Sequence, residues 1–163
     1  MPVPRQKRML MIEHRILRCT RPFALVHDVL IASVPALKPE LAEMLANGEQ
    51  EKIEAARRNL PKLWIFSMRD HGSLTAADGL KSKAIQYEIG NPLTAERMTR
   101  YHLAAALYAP LRVVLYEDEG GQALFEYDLP SSVFGQFNDD RITSVGFELD
   151  ADLESVLSAA AGP

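Results

Sequence analysis

Residues 87–130 have the sequence YEIGNPLTAERMTRYHLAAALYAPLRVVLYEDEGGQALFEYDLP, and this stretch decides the fold. Its pattern predicts the end of a strand, a capped helix, a second strand, a tight turn and a third strand. Asn91 can cap the helix because its side-chain oxygen can accept a hydrogen bond from a backbone amide of the first turn. Pro92 fixes φ at the first helical position, where no N–H donor is needed. The apolar runs at 111–116 and 123–127 flank the Gly-Gly turn and predict a β-hairpin. The stretch therefore favours an antiparallel sheet interrupted by helices.

Segments before this stretch supply the remaining strands. Residues 14–20 (HRILRCT) are typical of a short first strand. Residues 63–68 (LWIFSM) form a nearly continuous apolar run, whose length and aromatic content favour a central strand. We therefore expect that Trp64 and Phe66 are not both exposed. Residues 83–89 alternate between polar and apolar side chains, and the predicted inward residues are Ile85, Tyr87 and Ile89.

Helices are predicted between and after the strands. Thr20 can cap a helix that has Pro22 in its first turn and ends at Pro35. Two more helices are expected at 39–60, and a last one at 147–160. Helices that pack on one face of a mainly antiparallel sheet form a two-layer α+β domain, which is the predicted fold class.

The length and the N-terminal segment set the domain organisation. A chain of 163 residues is long enough for one domain with a full core. We expect an N-terminal arm at 1–13 and a single α+β domain at 14–163. Arg5, Lys7 and Arg8 precede only four apolar residues, which is too short for the core of a signal peptide. No segment has the apolar length of a membrane span, so we expect a cytoplasmic protein without a membrane partner.

Composition and motifs exclude several function classes. The net charge of -4 argues against nucleic-acid binding, because neutralising phosphates needs a clustered excess of Lys and Arg. Cys19 is the single cysteine, so no intrachain disulfide and no Cys-based zinc site can form. The sequence has no P-loop, dinucleotide-binding glycine motif, nucleophile elbow or zinc-protease HExxH motif. We therefore expect no metal and no cofactor, and we assign no catalytic residue.

Two further patterns have alternative interpretations. The acidic run at 117–119 could bind a hard cation, but it lacks the ligand spacing of a calcium loop and is typical of a solvated hairpin turn. Cys19 could act as a nucleophile only beside a base, and the sequence places none there. Three histidines show no metal-ligand spacing and are interpreted as surface or boundary residues: His14, His27 and His102.

The chain also resembles a known family over residues 15–34 and 65–134. The residues that carry the resemblance are Asp70 and His71, 76–80 (AADGL), 90–92 (GNP), 109–118 (APLRVVLYED) and 127–130 (YDLP). They are similar to the domain of unknown function 302. The resemblance implies a TATA-binding-protein-like β-α-β(4)-α fold, found in small bacterial and archaeal proteins that are often dimeric and have no assigned reaction. Relative to that family, the helices at 39–60 are expected to be an insertion.

The candidate site combines two strand ends. Asp70 and His71 follow the 63–68 strand. Their alternatives are a structural role, ligand contact and, since a carboxylate can orient an imidazole for proton transfer, catalysis. The family resemblance implies that they line a pocket. Gly90 and Asn91 end the 83–89 strand, where free helix amides and the helix dipole can hold a small anion. We expect a non-catalytic domain that binds a small ligand or a protein and acts as a homodimer. The alternative is a small enzyme that uses polar groups near His71 and Asn91.

Overall fold

The computed structural model describes residues 3–56, 59–75, 79 and 82–163. Five strands form one sheet: β1 (His14–Arg18), β2 (Trp64–Asp70), β3 (Ala84–Gly90), β4 (Leu111–Glu117) and β5 (Ala123–Asp128). The strand order is β1-β5-β4-β3-β2, and every neighbouring pair is antiparallel. The predicted hairpin at 111–127 is therefore confirmed as the β4-β5 pair.

Helices occupy the connections and the end of the chain. They are α1 (Phe23–Ser33), α2 (Pro39–Ala46), α3 (Gln50–Ala56), α4 (Gly72–Thr75), α5 (Pro92–Thr99), α6 (Pro130–Phe134) and α7 (Asp140–Ala161). A 3₁₀-helix, Leu103–Tyr108, lies between α5 and β4, and a second, Gly135–Phe137, follows α6. α1 packs against α7 and against β4, so these helices form the second layer of the predicted α+β fold.

Side-chain alternation divides the sheet into a buried face and an open face. Directly opposed residues of paired strands share a face, so Tyr87, Val113 and Tyr127 form a row across the sheet. This row is buried, and Leu30 of α1 and Leu153 of α7 belong to the same core. The intervening residues form the open face, which is lined mainly by polar side chains, including Gln86, Glu88, Arg112 and Glu126.

β2 is an edge strand, although the continuous apolar run predicted a central one. Its one strand partner in the described sheet is β3. Residues before α2 cover the outer edge of the first half of β2: Ile65 donates to the carbonyl of Pro35 and accepts from the amide of Leu37. Trp64 is 3% exposed and Phe66 is 36% exposed, so the expectation that the two are not both exposed is confirmed.

Thr20 does not cap α1, contrary to the prediction. The residue before α1 is Pro22, which makes no side-chain cap. Thr20 instead donates its hydroxyl to the carbonyl of Ala161, and the Arg21 guanidinium donates to the carbonyl of Ala159 at 2.6 Å. The two residues thus satisfy the free carbonyls at the end of α7, a long-range partner that no local pattern indicates.

α7 begins at Asp140, earlier than the predicted residue 147. Asp139 caps it by accepting from the Arg141 amide at 2.9 Å. The helix therefore includes Gly146, although glycine is a poor helix former. In the structure Gly146 is buried against Ser131 of α6, so close packing explains the glycine.

The described part of the N-terminal arm, residues 3–13, forms no helix or strand. It is held at two points: Arg8 donates to Gln136 at 2.8 Å, and the carbonyl of Glu13 accepts from Leu129 at 2.8 Å. Within the described ranges, no helix has both the length and the apolar composition needed to cross a membrane.

Candidate functional site

A mostly apolar cavity of about 260 Å³ opens where β3 runs into α5. α5 forms one wall, and the start of β2 and the start of β4 form another. The residues that line it are Phe66, Gly90, Asn91, Pro92, Thr94, Ala95, Glu96, Met98, Thr99, Ala109, Pro110, Leu111, Phe134 and Leu149. We call this space the α5 cavity. Two of the four predicted site residues, Gly90 and Asn91, therefore lie at a cavity.

Asn91 is the N-cap of α5, as the sequence predicts. Its Oδ1 accepts from the amide of Leu93 at 2.9 Å and from that of Thr94 at 3.4 Å. Its Nδ2 donates to the carbonyl of Lys62 at 3.0 Å. One side chain thus ends β3, starts α5 and ties both to the segment before β2.

The first turn of α5 has little capacity left for an anion. Pro92 has no backbone N–H to donate, and the N–H groups of Leu93 and Thr94 donate to the Asn91 side chain. The Ala95 amide donates to the Asn91 carbonyl at 2.9 Å. The anionic ligand thus stays a prediction. An anion would have to replace Asn91 Oδ1 as the acceptor of the 3.4 Å hydrogen bond from the Thr94 amide.

Gly90 has an ordinary backbone conformation. Its φ lies outside the positive range, so the position does not need the backbone freedom of glycine. A Cβ at this position would lie 3.4 Å from Cβ of Pro110 and 3.7 Å from the ring of Phe66. The ring lies there because the β2-β3 register shifts between Ile65 and Ser67, as in a β-bulge. Phe66 and Pro110 therefore flank Gly90 at contact distance, and all three residues line the cavity.

The charges at the α5 cavity do not favour an anion. Among the described residues, no Lys or Arg lines it, and Glu96 is its one ionisable residue. The Glu96 carboxylate accepts from the Arg100 guanidinium at 2.7 Å on the exposed surface of α5. Neutral polar groups come from Asn91, Thr94 and Thr99. The arrangement suits a neutral and mainly apolar molecule with one or two polar atoms.

We predict that Asn91→Ala lowers the free energy of unfolding by about 1–2 kcal/mol, because it leaves two helix amides without their acceptor. Asn91→Asp should cost less, since it keeps the acceptor and loses only the bond to Lys62. Urea unfolding followed by circular dichroism measures both. An Asn91→Ala protein as stable as the wild type would show that the cap contributes nothing.

Asp70 and His71 lie at the other end of the β2-β3 pair. Trp64 pairs with Gly90, whereas Asp70 pairs with Ile85. At about 3.4 Å per residue, the two ends are separated by roughly 20 Å. The structure therefore does not bring the four predicted site residues together.

Asp70 has a structural role in the turn after β2. Its carboxylate accepts from the Ser73 amide at 3.0 Å, and its carbonyl accepts from the Ser73 hydroxyl. The His71 amide donates to the carbonyl of Ala84 at 2.8 Å, and the residue is exposed. No hydrogen bond joins the side chains of Asp70 and His71 in the described structure. Of the family landmarks here, residues 76–78 and 80 lie outside the described residues.

The acidic turn and the cysteine also have structural roles. Asp118 Oδ1 accepts from the amides of Gly120 and Gln122, both at 2.9 Å, and so holds the β4-β5 turn. Gly121 adopts φ +79°, which the turn requires. Cys19 is 3% exposed, and burial raises the pKa of its thiol, which disfavours the nucleophilic thiolate. Among the residues that the structure describes, no group of three His, Cys, Asp or Glu side chains has an arrangement that could hold a metal ion.

The open face of the sheet carries a cluster that the sequence did not predict. His14 Nδ1 lies 2.9 Å from Asp128, and its Nε2 lies 3.1 Å from Glu126. The Tyr116 hydroxyl donates to the other oxygen of Glu126. Glu126 and Asp128 alternate along β5 and so share a face, but only the β1-β5 register places His14 between them.

We predict that the contribution of His14 to stability is largest in mildly acidic solution. The pKa of His14 is raised from 6.5, first by the bond to Asp128 and then by the bond to Glu126. Because the pKa of His14 is higher in the folded state, its protonation stabilises the protein fully at a pH below the unfolded-state pKa. This stabilisation is lost as the pH rises through the folded-state pKa. The pKa of Glu126 is lowered from 4.5, first by the bond from Tyr116 and then by that from His14. The ionised Glu126 carboxylate therefore also stabilises the fold, and its contribution is lost as the pH falls through the lowered pKa.

Urea midpoints of the wild type and of His14→Gln test this prediction. The difference between the two proteins should be larger near pH 5.5, within the window set by 4.5 and 6.5, than near pH 8.5. Salt should shrink the difference, because the His14 side chain is 50% exposed. A difference that does not change with pH would contradict the prediction.

Comparison with models of protein families gives a match for the chain. A family model described as "Domain of unknown function DUF302" matches residues 38–160, well over half of the sequence. The chain belongs to this family. The predicted resemblance is thus confirmed, although the match begins after α1 and spans the helices at 39–60. That these helices are an insertion relative to other DUF302 members stays a prediction.

A solved DUF302 structure has the same fold. The crystal structure of an uncharacterized conserved protein DUF302 from Bacillus stearothermophilus matches with a TM-score of 0.66 and 13% sequence identity. The match covers 91% of this chain and 98% of that chain. At this identity the likeness shows the fold alone. A search of curated proteins found no match.

Proposed function

We propose that this DUF302 protein is a non-catalytic module that binds a small, neutral and mainly apolar ligand in the α5 cavity. The observation that carries the proposal is the cavity itself, about 260 Å³ in volume and walled by side chains such as Phe66, Met98 and Phe134. Natural ligand pockets hold about 300–1,000 Å³, so this cavity lies just below that range and fits only a small ligand. Apolar walls of this kind exclude water and accept compounds of matching shape.

The polar groups at the cavity support binding better than catalysis. Asn91 is occupied by its cap and by Lys62, and the Glu96 carboxylate is paired with Arg100. Neither of these groups is poised as a base, and proton transfer or nucleophilic attack requires one. The Thr94 and Thr99 side chains can orient a ligand by a hydrogen bond. The enzyme alternative combined groups near His71 and Asn91, which lie at opposite ends of β2.

Thermal unfolding with neutral probes tests the proposal. Indole and toluene should raise the melting temperature of the wild type, because a ligand that binds only the folded state stabilises it. Benzoate and inorganic phosphate should give a smaller rise or none. If neither neutral probe raises the melting temperature, the proposal fails; if only the anions raise it, the original prediction of an anionic ligand is restored.

A filled cavity provides the matched control. Ala95 lines the cavity, so Ala95→Trp or the smaller Ala95→Leu should abolish the effect of the probes. Ala151→Trp adds the same bulk to an exposed position of α7 and should leave the effect intact. If the probes raise the melting temperatures of the wild type, the Ala95 variants and Ala151→Trp equally, the probes bind outside the cavity.

We further propose that the protein forms a homodimer. The supporting observation is the outer edge of β1, which pairs with no strand among the described residues, and unpaired edges are templates for a second chain. Light scattering over a dilution series at micromolar concentration tests this proposal. A monomer mass throughout would overturn it and would leave the ligand proposal unaffected.

A further inference from the structure

The N-terminal arm carries positive charge that the rest of the chain does not balance locally. Residues 3–12 contain Arg5, Lys7 and Arg8 and no acidic residue. None of the three cations lies within salt-bridge distance of a carboxylate in the described structure, and Arg8 binds only the neutral Gln136. The whole chain has a net charge of -4, so the remaining residues carry -7, the difference between -4 and +3. The charge of the molecule is therefore polarised towards the arm.

Exposed apolar side chains occur on the arm and on the 3₁₀-helix that shares a groove with it. Met9 is 83% exposed and Met11 is 95% exposed on the arm, while Leu103 and Leu107 of the 3₁₀-helix are 83% and 77% exposed. The arm and this helix meet in one groove, which Arg8, Leu10, Leu107 and Phe137 help to line. We call Arg5, Lys7, Arg8, Met9, Met11, Leu103 and Leu107 the basic apolar patch.

From this juxtaposition we infer that the basic apolar patch docks the protein on an anionic lipid surface. Interfacial binding combines apolar side chains that enter the headgroup region with nearby Lys and Arg that attract anionic lipids. Four large apolar side chains and three unpaired cations meet both needs. The expectation of no membrane partner rested on the lack of a spanning segment, and a protein that lies on a membrane needs none.

Charge favours a lipid surface over a second copy of the chain. A two-fold dimer places a patch against the same patch, so the three cations would face three cations. An anionic lipid surface brings opposite charge to the cations and an apolar layer to the Met and Leu side chains. The polarised charge also sets the orientation, since the acidic remainder of the protein is repelled from the same surface.

Co-sedimentation with vesicles tests the inference. Vesicles of phosphatidylcholine with about 30 mol% phosphatidylglycerol should bind the protein, and vesicles of phosphatidylcholine alone should bind it on the order of tenfold more weakly. Raising the salt to about 0.5 M should reduce the difference, because the charges are solvent-exposed and screened. No binding to either vesicle, or equal binding to both at low salt, would overturn it.

Two variants and one control separate the contributions. Lys7→Gln with Arg8→Gln should weaken binding on the order of tenfold, as should Leu103→Ser with Leu107→Ser. Leu74→Ser changes a side chain of α4 that is 69% exposed, and α4 follows β2 at the sheet edge opposite β1; this variant should bind like the wild type. Circular dichroism confirms that each variant is folded.

Self-association is the competing outcome. If Leu103→Ser with Leu107→Ser converts a dimer into a monomer and vesicle binding is unchanged, the patch is a contact between copies and the inference is wrong. The docking inference is independent of the α5 cavity, so Ala95→Leu should leave vesicle binding unaltered.

Discussion

Replacement of Phe134 by Ala is expected to lower the free energy of unfolding by about 3–5 kcal/mol. Phe134 is fully buried, and its ring packs edge-to-face against Tyr108 at a centroid distance of 6.5 Å. The side chain also lines the α5 cavity, so its removal joins a new void to a space that already exists. The surroundings therefore have little means to collapse into the gap, which places the cost in the upper range for core truncations.

Phe147→Ala is the matched control for this truncation. Phe147 is 62% exposed on α7, so the same change should alter stability by less than about 0.5 kcal/mol. Urea unfolding followed by circular dichroism measures both variants. In a folded Phe134→Ala protein the enlarged cavity should still bind indole or toluene, because apolar cavities accept such compounds. Similar costs for the two variants would show that Phe134 is not a core residue.

Gly146→Ala is expected to destabilise the protein by about 1–3 kcal/mol, the usual cost of overpacking. Within a helix, Ala is ordinarily more stable than Gly by roughly 0.5–1 kcal/mol, so intrinsic propensity predicts the opposite sign. Here the added Cβ would lie 2.8 Å from Cα of Ser131 and 3.5 Å from Cβ of Phe134. The Ser131 amide is held by Asp150 at 2.8 Å, so the start of α6 cannot move away freely.

Gly135→Ala provides the control with the same chemical change. Gly135 has φ -58°, and a Cβ there would meet nothing within 4 Å. The substitution should stabilise the protein by about 0.4–1 kcal/mol, because it reduces the freedom of the unfolded chain. Thermal and urea unfolding should therefore give opposite signs for the two Gly→Ala variants. A stabilised Gly146→Ala protein would contradict the tight α6-α7 contact.

Local signals in the sequence were sufficient for much of the fold. The Asn91-Pro92 cap, the alternation at 83–89 and the hairpin around Gly121 each depend on neighbours in the chain, and all three are present. The resemblance to the DUF302 family also rests on such local segments, and the family match confirms it.

Local signals failed where burial came from distant segments. The apolar run in β2 suggested a central strand because an apolar pattern indicates burial. The pattern does not identify the segment that covers the buried residues. Residues 35–37 cover its edge. Thr20 had the chemistry of a helix cap, but its partner is the end of α7, far away in the chain. Gly146 is a poor helix former by propensity, although in the structure it is a contact point between two helices.

The sequence by itself determined the α+β class, most of the strands and the residue that starts α5, because hydrophobic period and capping chemistry act over a few residues. Only the tertiary structure decided the sites. Strand register separates Asp70 and His71 from Gly90 and Asn91 and places His14 between Glu126 and Asp128. The α5 cavity and the basic apolar patch each join segments that are distant in sequence, and such proximity exists only once the chain has packed.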